Sequence, residues 1–462
     1  MSTESKTVRA LPESYYDRFA SIAAKARKPS PIRALFPLEA RPNMISLLAG
    51  KPNPSTFPFE SMSFTAKNPL SSQLEEFTVD PKLLAESLQY GPTAGLPGFV
   101  RWLEGLQEEE HAREREGWRV SVGTGSQDLI NKALITMFDP EDVMLIESPV
   151  YATTLTVVDS LSITKIEVPT DGDGIIPSKL QIILEEWPQG KPMPKALYTI
   201  PYGGNPAGTT VPLTRRKEIL ALARRYDFLI IEDDPYYYLY FGTLPRPASY
   251  FSLEASESEQ GTGVDSRVGR VLRFDSFSKV LSAGMRIGFV TGPAALVGRI
   301  DQHTQSANLQ SSHLTHSLAL ALLSSWGTPG FLAHTQSVSQ LYRQKRDMFE
   351  NALRKYLGDE GLAVWSTPCA GMFVWFRLIL TDPTSTQSST SSPEEEDSAD
   401  LIRTRAVQEG IIALPGTVFI PNGGPTPYVR ASFSLLDEET TEEAMRRLRR
   451  VVLRARGRED AV

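Results

Sequence analysis

Short apolar runs alternating with helical stretches dominate the middle of the chain. Residues 118–122 (WRVSV), 143–148 (VMLIES), 196–201 (ALYTIP), 228–233 (FLIIED), 271–277 (VLRFDSF) and 286–292 (RIGFVTG) are each too short for a helix and rich in strand formers. Residues 127–138 and 214–227 instead repeat apolar positions at helical spacing. Runs that are largely apolar on both alternating sets of positions predict strands buried on both faces. The pattern therefore predicts an α/β fold around a mainly parallel sheet. Ligands bind such sheets beyond the carboxyl ends of the strands. The polar residues just after these runs are thus the candidates for chemistry.

Outside this block the pattern weakens. The segment up to about residue 35 mixes Pro, Lys and Arg around one helical stretch, Tyr15 to Ala26, and reads as an arm laid over the rest. Residues 381–400, TDPTSTQSSTSSPEEEDSAD, and 254–267 are polar enough to read as solvated surface loops. No repeat of 20–50 residues is visible.

Composition narrows the classes. Among 462 residues, 48 basic and 55 acidic side chains leave a formal charge of −7, which argues against a nucleic-acid partner. No apolar run has the roughly 18–20 residues of a membrane span, and the first residues lack the apolar stretch of a secretory signal. The single cysteine, Cys369, excludes an internal disulfide and suits a reducing compartment, so a cytoplasmic location is expected. The five histidines show no metal-binding spacing, and no metal is expected.

Each candidate strand end carries distinctive chemistry. After residue 122 comes GTGSQ and a helix, a sequence that suits a phosphate cradle or a simple tight turn. A dinucleotide fingerprint would need glycine where Asp128 stands. After ALYTIP comes YGGNPAG, a turn with an exposed amide at Asn205. FLIIE ends in Asp233, a carboxylate that needs a partner if buried. VLRF is followed by Asp275-Ser276-Phe277-Ser278-Lys279, with Arg286 seven residues on. Singly, each has a structural explanation. Together a phosphate site, an amide, a carboxylate, an amine and an arginine match the needs of pyridoxal phosphate: donors for its phosphate, a carboxylate for its ring nitrogen and an amine for its aldehyde.

SFSKVLSAGMRIGF, IIEDDPYYYLYF, the NPAG turn and PYVRASFS (427–434) resemble the fold-type I, class I/II aminotransferases. KPSPIRALF (28–36), ISLLAGKPNPSTFPF (45–59), LQYGPTAGLPGFVRWL (88–103), TGSQDLINKA (124–133) and CAGMFVWF (369–376) narrow the resemblance to the kynurenine/2-aminoadipate and fungal aromatic amino acid branch. It implies a large domain with a mixed, mostly parallel seven-stranded sheet and a smaller α+β domain. The expected division is an arm (1–44), a small domain (45–85 and 340–462, with 381–400 as a surface insertion) and a large cofactor-binding domain (86–339).

The resemblance also implies roles. Lys279 matches the lysine that bonds the cofactor aldehyde and carries a proton. Asp233 matches the carboxylate on the ring nitrogen, and Asn205 and Tyr236 match the donors to the ring hydroxyl. Ser126, Gln127, Ser276, Ser278 and Arg286 match the phosphate ligands, and Tyr151 the residue stacked on the ring. Tyr90 matches a tyrosine that reaches the cofactor of a neighbouring subunit, implying a homodimer with shared sites. Arg430 matches the arginine on the substrate α-carboxylate, with Gly50, Phe373, Asn205 and Arg33 near the substrate. Arg33 is the candidate for a distal carboxylate, unless it is simply a surface residue. The implied activity is transamination of an aromatic amino acid (Tyr, Phe, Trp, kynurenine) or 2-aminoadipate with a 2-oxo acid, 2-oxoglutarate foremost. The alternative is a lyase, or a specialised aminotransferase of a secondary-metabolite pathway. Ala207, where many relatives carry Thr, and three successive tyrosines (236–238) depart from the pattern without touching the Asp-to-Tyr spacing.

Overall fold

The computed structural model describes residues 9–28, 30–32, 35–39, 41–48, 50–256, 267–381 and 397–457. A separate hairpin pairs β1 (Ser63–Lys67) with β2 (Leu74–Thr78). The main sheet comprises β3 (Trp118–Gly123), β4 (Val143–Ser148), β5 (Thr164–Asp171), β6 (Gly174–Ile175), β7 (Ala196–Thr199), β8 (Leu229–Asp233), β9 (Val271–Ser276) and β10 (Gly288–Pro293). Their order is β3-β10-β9-β8-β7-β4-β5-β6. The pairs from β5 through β4, β7 and β8 to β9 are parallel, and β10 runs against both its neighbours. The sheet thus has eight strands rather than seven. The additional one, β6, is a two-residue strand that folds back on the edge of β5.

Alternation along the central strands builds two cores. Ile146, Tyr198, Ile231, Leu272 and Phe274 join the core on one face, while Leu145, Leu197, Ile230 and Val271 join the core on the other. This is why these runs lack a polar face: helices cover the sheet on both sides. The residues that close β8 and β9 on the first face, Asp233 and Ser276, arrive at the carboxyl edge by the same period of two.

A smaller antiparallel sheet has the order β11 (Ala363–Trp365), β12 (Phe373–Leu378), β14 (Tyr428–Ser432), β13 (Leu414–Pro415). Helix Glu438–Ala455 presents Thr441, Met445, Leu448, Val451 and Val452 inward at helical spacing, and Asp437 caps it by accepting from Thr440 N at 2.8 Å. This helix packs on the long helix His313–Leu353, which is interrupted at Gly327. No helix among the described residues is long and apolar enough to cross a membrane.

Three local expectations change. The stretch from Tyr15 to Ala26 is not one helix but a 3₁₀ segment, Glu13–Phe19, and a short α-helix, Ile22–Ala26. Ser21 breaks it: its hydroxyl caps the second piece, and its N–H and hydroxyl donate to Thr136 and Ile135 of the main domain. The 254–267 stretch does not begin at the surface. Glu254 is buried and accepts from the N–H groups of Gly269 and Arg270, while 257–266 lie outside the described residues. Within 381–400, residues 382–396 also lie outside them, but Ser398 is buried and donates to the Tyr428 carbonyl at 2.7 Å. In both places a polar residue in a polar run packs because the backbone offers it a partner.

Candidate active site

Beyond the carboxyl ends of the central strands lies a cavity of about 350 Å³. It is lined by Ser126, Gln127, Tyr151, Asn205, Asp233, Tyr236, Ser276, Ser278, Lys279, Arg286, Phe373 and Arg430, together with Ile200, Pro235 and Ala283. Residues separated by about 300 positions in sequence therefore meet, because the turns after the central strands and the smaller sheet that carries Phe373 and Arg430 converge here.

One end is built to receive an anion. Helix Ser126–Met137 opens here, with Gly125 before it at φ 90°. A Cβ on Gly125 would come within 2.5 Å of Arg286 Nη2, and one on Gly288 within 2.3 Å of Ser126 N. The closeness that glycine permits brings the guanidinium of Arg286 to the start of this helix. Arg286 Nη1 donates to Ser278 Oγ and Nη2 to the Thr124 carbonyl, each at 3.3 Å. Ser276 caps the turn that carries Lys279 by accepting from Ser278 N at 3.2 Å.

Asp233 forms the floor. It is buried, and its Oδ2 accepts from the Tyr198 hydroxyl at 2.5 Å. Its Oδ1 is buried with no partner among the described residues. Burial pushes its carboxyl up to about 7, against the Tyr198 hydrogen bond and with some help from the charge of Asp275. A buried carboxylate oxygen without a partner, on a side chain that lines the cavity, suits a protonated ring nitrogen. Lys279 is shifted the other way: burial, then the positive charges of Arg286 and Arg430, lower its ammonium below the ordinary lysine value. More of this lysine is therefore the neutral amine that attacks an aldehyde. Together with the anion cradle, these groups fit pyridoxal phosphate.

The opposite wall comes from the smaller sheet. Arg430 lies on β14 and Phe373 at the start of β12, and the guanidinium sits 4.2 Å from the Phe373 ring centre and 5.0 Å from that of Phe419. Its Nη1 donates to Asn205 Oδ1 at 2.8 Å, whereas its Nε is buried without a partner. The wall is fixed to the floor by backbone. Phe241 N donates to the Cys369 carbonyl at 2.8 Å and Gly371 N to the Leu239 carbonyl at 3.2 Å, tying the loop before Phe373 to the segment after Asp233. Tyr236 is buried beside Asp233, and burial raises its hydroxyl well above the ordinary value. Its ring meets Phe373 edge-on, with centres 6.3 Å apart.

Two sequence candidates lie elsewhere in the chain's own structure. Tyr90 is half exposed and lines a separate, larger cleft of about 1440 Å³ with Glu39, Lys51, Arg119 and Asp301. Gly50 is exposed, with nothing within 4 Å of a Cβ built on it. Arg33 lies outside the described residues. The reading from sequence missed Tyr198, which sits inside the run ALYTIP and looks like ordinary core. Register alone discloses it: Tyr198 pairs with Ile231, so Asp233 follows two residues later on the same face.

Comparisons with known proteins agree with this geometry. The family described as aminotransferase class I and II matches residues 83–448. The aminotransferase tdiD of Emericella nidulans is 41% identical over 91% of this chain and 92% of its own length. The mitochondrial kynurenine/alpha-aminoadipate aminotransferase of Mus musculus is 37% identical over 95% and 99%. The crystal structure of the aminotransferase Aro8 from Candida albicans superposes with a TM-score of 0.85 at 27% identity, covering 98% of this chain and 100% of that one. Similarity along nearly the whole chain, around a cavity that fits a phosphorylated pyridine aldehyde, places the chain in the class I and II aminotransferases, which use pyridoxal phosphate.

Proposed function

We propose that this enzyme transfers the amino group of an aromatic amino acid or 2-aminoadipate to a 2-oxo acid, with 2-oxoglutarate as the principal acceptor. The observation that carries the reading is the pairing of an open buried carboxylate, Asp233, with a depressed lysine, Lys279, in one cavity. When bound, pyridoxal phosphate supplies the electron sink that stabilises charge at the substrate Cα. Asp233 would hold the charge on its ring nitrogen, while Asn205 and Tyr236 would donate to its ring hydroxyl. Ser126, Gln127, Ser276, Ser278 and Arg286 would bind its phosphate, and Tyr151 would cover its face. Lys279, its amine freed for the purpose, would be the base that takes and returns the substrate's Cα proton. Arg430 orients the substrate by a two-pronged grip on the α-carboxylate, its planar fork already braced by Asn205.

The substrate class rests on the aromatic wall at Phe373 and on the kynurenine/alpha-aminoadipate relative. We assign the distal carboxylate of an acidic substrate to Arg33, on the chemistry of its side chain. Arg33→Gln should raise KM for 2-aminoadipate and 2-oxoglutarate while leaving an aromatic amino acid within about threefold. We also propose a homodimer in which Tyr90 and Gly50 complete the partner's cavity. Their position away from the chain's own site supports this reading, and light scattering of the purified protein tests it. The single cysteine supports a cytoplasmic location, which fractionation checks.

The deciding experiment is to add amino acids one at a time to the purified, cofactor-loaded protein and follow its visible absorption. Loss of the visible band with an aromatic amino acid or 2-aminoadipate, and its return with 2-oxoglutarate, is the expected result. A band unchanged by any amino acid would defeat the proposal.

A further inference from the structure

Thr154, Tyr198 and Asp233 form a buried chain that ends at the cavity. Thr154 Oγ1 donates to the Tyr198 hydroxyl at 3.0 Å, and that hydroxyl donates to Asp233 Oδ2 at 2.5 Å. Thr154 and Tyr198 are fully buried, and Asp233 is buried. A phenol has a single proton to give. With Thr154 donating into its oxygen, the Tyr198 proton is directed to Asp233. Donation to one carboxylate oxygen favours the ionised acid and leaves Oδ1 as the oxygen without a partner among the described residues, on a side chain that lines the cavity. Thr154 also stands one helical turn after Tyr151, so the helix that presents a ring to the cavity carries the first donor as well.

We infer that Tyr198, steered by Thr154, is a positioning residue that keeps Asp233 ionised and aimed at the cofactor's ring nitrogen. The inference rests on the role proposed above for Asp233. The surroundings make such a device necessary. On its own face Asp233 meets Tyr198 from β7 and Tyr236 from the turn after it. Glu147 of β4 and Asp275 of β9 add negative charge from the alternate positions, and the cations Lys279 and Arg430 line the same cavity without an ion pair to Asp233 among the described residues. Burial has already pushed the carboxyl up to about 7, with the Tyr198 hydrogen bond pulling it down. Without that donor the acid titrates higher still and is neutral at pH 7, presenting the ring nitrogen with no charge. Raising the pH then ionises it again.

The test is the dissociation constant of pyridoxal phosphate, titrated by absorption into apoprotein between pH 6 and 9. It is run on wild type, Tyr198→Phe, Thr154→Val and Asp233→Asn, with circular dichroism confirming that each is folded. Tyr198→Phe should weaken the cofactor about 10- to 30-fold at pH 7, with the deficit shrinking to within about threefold at pH 9. Thr154→Val should move in the same direction by about two- to fivefold. Asp233→Asn should weaken it by roughly 100-fold or more at every pH. A loss for Tyr198→Phe that does not vary with pH would mean packing alone and overturn the inference. Wild-type affinity in that variant beside a weakened Asp233→Asn would overturn it too, leaving Asp233 in place. Unchanged affinity in Asp233→Asn would remove the role of Asp233 itself. Should Tyr198→Phe not fold, the pH dependence of Thr154→Val decides, since that substitution keeps the Tyr198 ring.

Discussion

The two faces of the sheet at its carboxyl edge use the same residue types to opposite ends. On one face, Asp233, Lys279 and Arg430 border a cavity, and Asp233 Oδ1 and Arg430 Nε are buried with no partner among the described residues. On the other face, the alternate positions of the same strands place Glu232, Arg273 and Asp275. There Arg273 is fully buried and bonds Asp234 at 2.5 Å and Asp275 at 2.8 Å and 3.0 Å, with Glu232 3.6 Å away. Glu232 in turn accepts from the N–H groups of Tyr250 and Phe251 at the start of the next helix. Burial works against the charge of Arg273, but the surrounding carboxylates win and raise it further above the ordinary value. Charges that satisfy one another hold a fold together. Charges left open keep a free-energy cost that a ligand can relieve, and that difference separates scaffold from site.

The sharpest way to break this comparison is to remove the amine. Lys279→Ala should lower turnover by roughly 10⁴-fold or more, since no other amine lines the cavity among the described residues, while apoprotein stability stays within about 1 kcal/mol. Retained turnover with a normal melting curve would mean that the site has been misread. Next come two charge removals with opposite signs. Arg273→Met should destabilise the apoprotein by about 3–5 kcal/mol in urea titrations, because it strands buried carboxylates. Asp233→Asn should instead stabilise it, and only at high pH. The folded carboxyl titrates near 7, above its unfolded value, so its contribution to stability is complete below about pH 4 and is lost as pH rises through 7. The variant's advantage should therefore be near zero at pH 4 and approach roughly 4 kcal/mol at pH 8. Destabilisation at pH 8 would show Asp233 to be part of the scaffold. Smaller again, Arg430→Lys should reduce kcat/KM about 100-fold by replacing a fork with a point charge, with cofactor affinity unchanged.

The scaffold and most of the cavity were legible in sequence for one reason: the central strands are buried on both faces, so the first polar residue after each marks an edge. That logic found Asp233, Ser276, Lys279 and the helix start at Ser126 without reference to contacts. It fails where a side chain's partner is chosen by pairing between strands. Tyr198 and Arg273 lie inside apolar runs, and only register shows that one serves the cavity face and the other the scaffold face. It fails again where composition stands in for packing. Glu254 and Ser398 sit in polar stretches, yet each is buried because unpaired backbone groups await it. β6 is a two-residue strand, too short to carry any period. Tyr90 and Gly50 could be named only by resemblance, for no property of their own neighbourhood marks them.

The smallest predicted effect probes how finely the open face is built. Ser278 Oγ accepts from Arg286 Nη1 at 3.3 Å, a long and weak bond. Arg286 keeps its Thr124 and Ala283 carbonyl partners without it. Ser278→Ala should therefore leave the guanidinium in place and remove one neutral donor from the bound phosphate. Such a donor contributes about 1 kcal/mol, so the dissociation constant for pyridoxal phosphate should rise about three- to tenfold. Inorganic phosphate, competing for the same cradle, should weaken by the same factor, whereas KM for the amino acid should not move. A loss of 100-fold or more would show that Ser278 holds Arg286 in place, and the open face would then share the mutual bracing that distinguishes the Arg273 cluster.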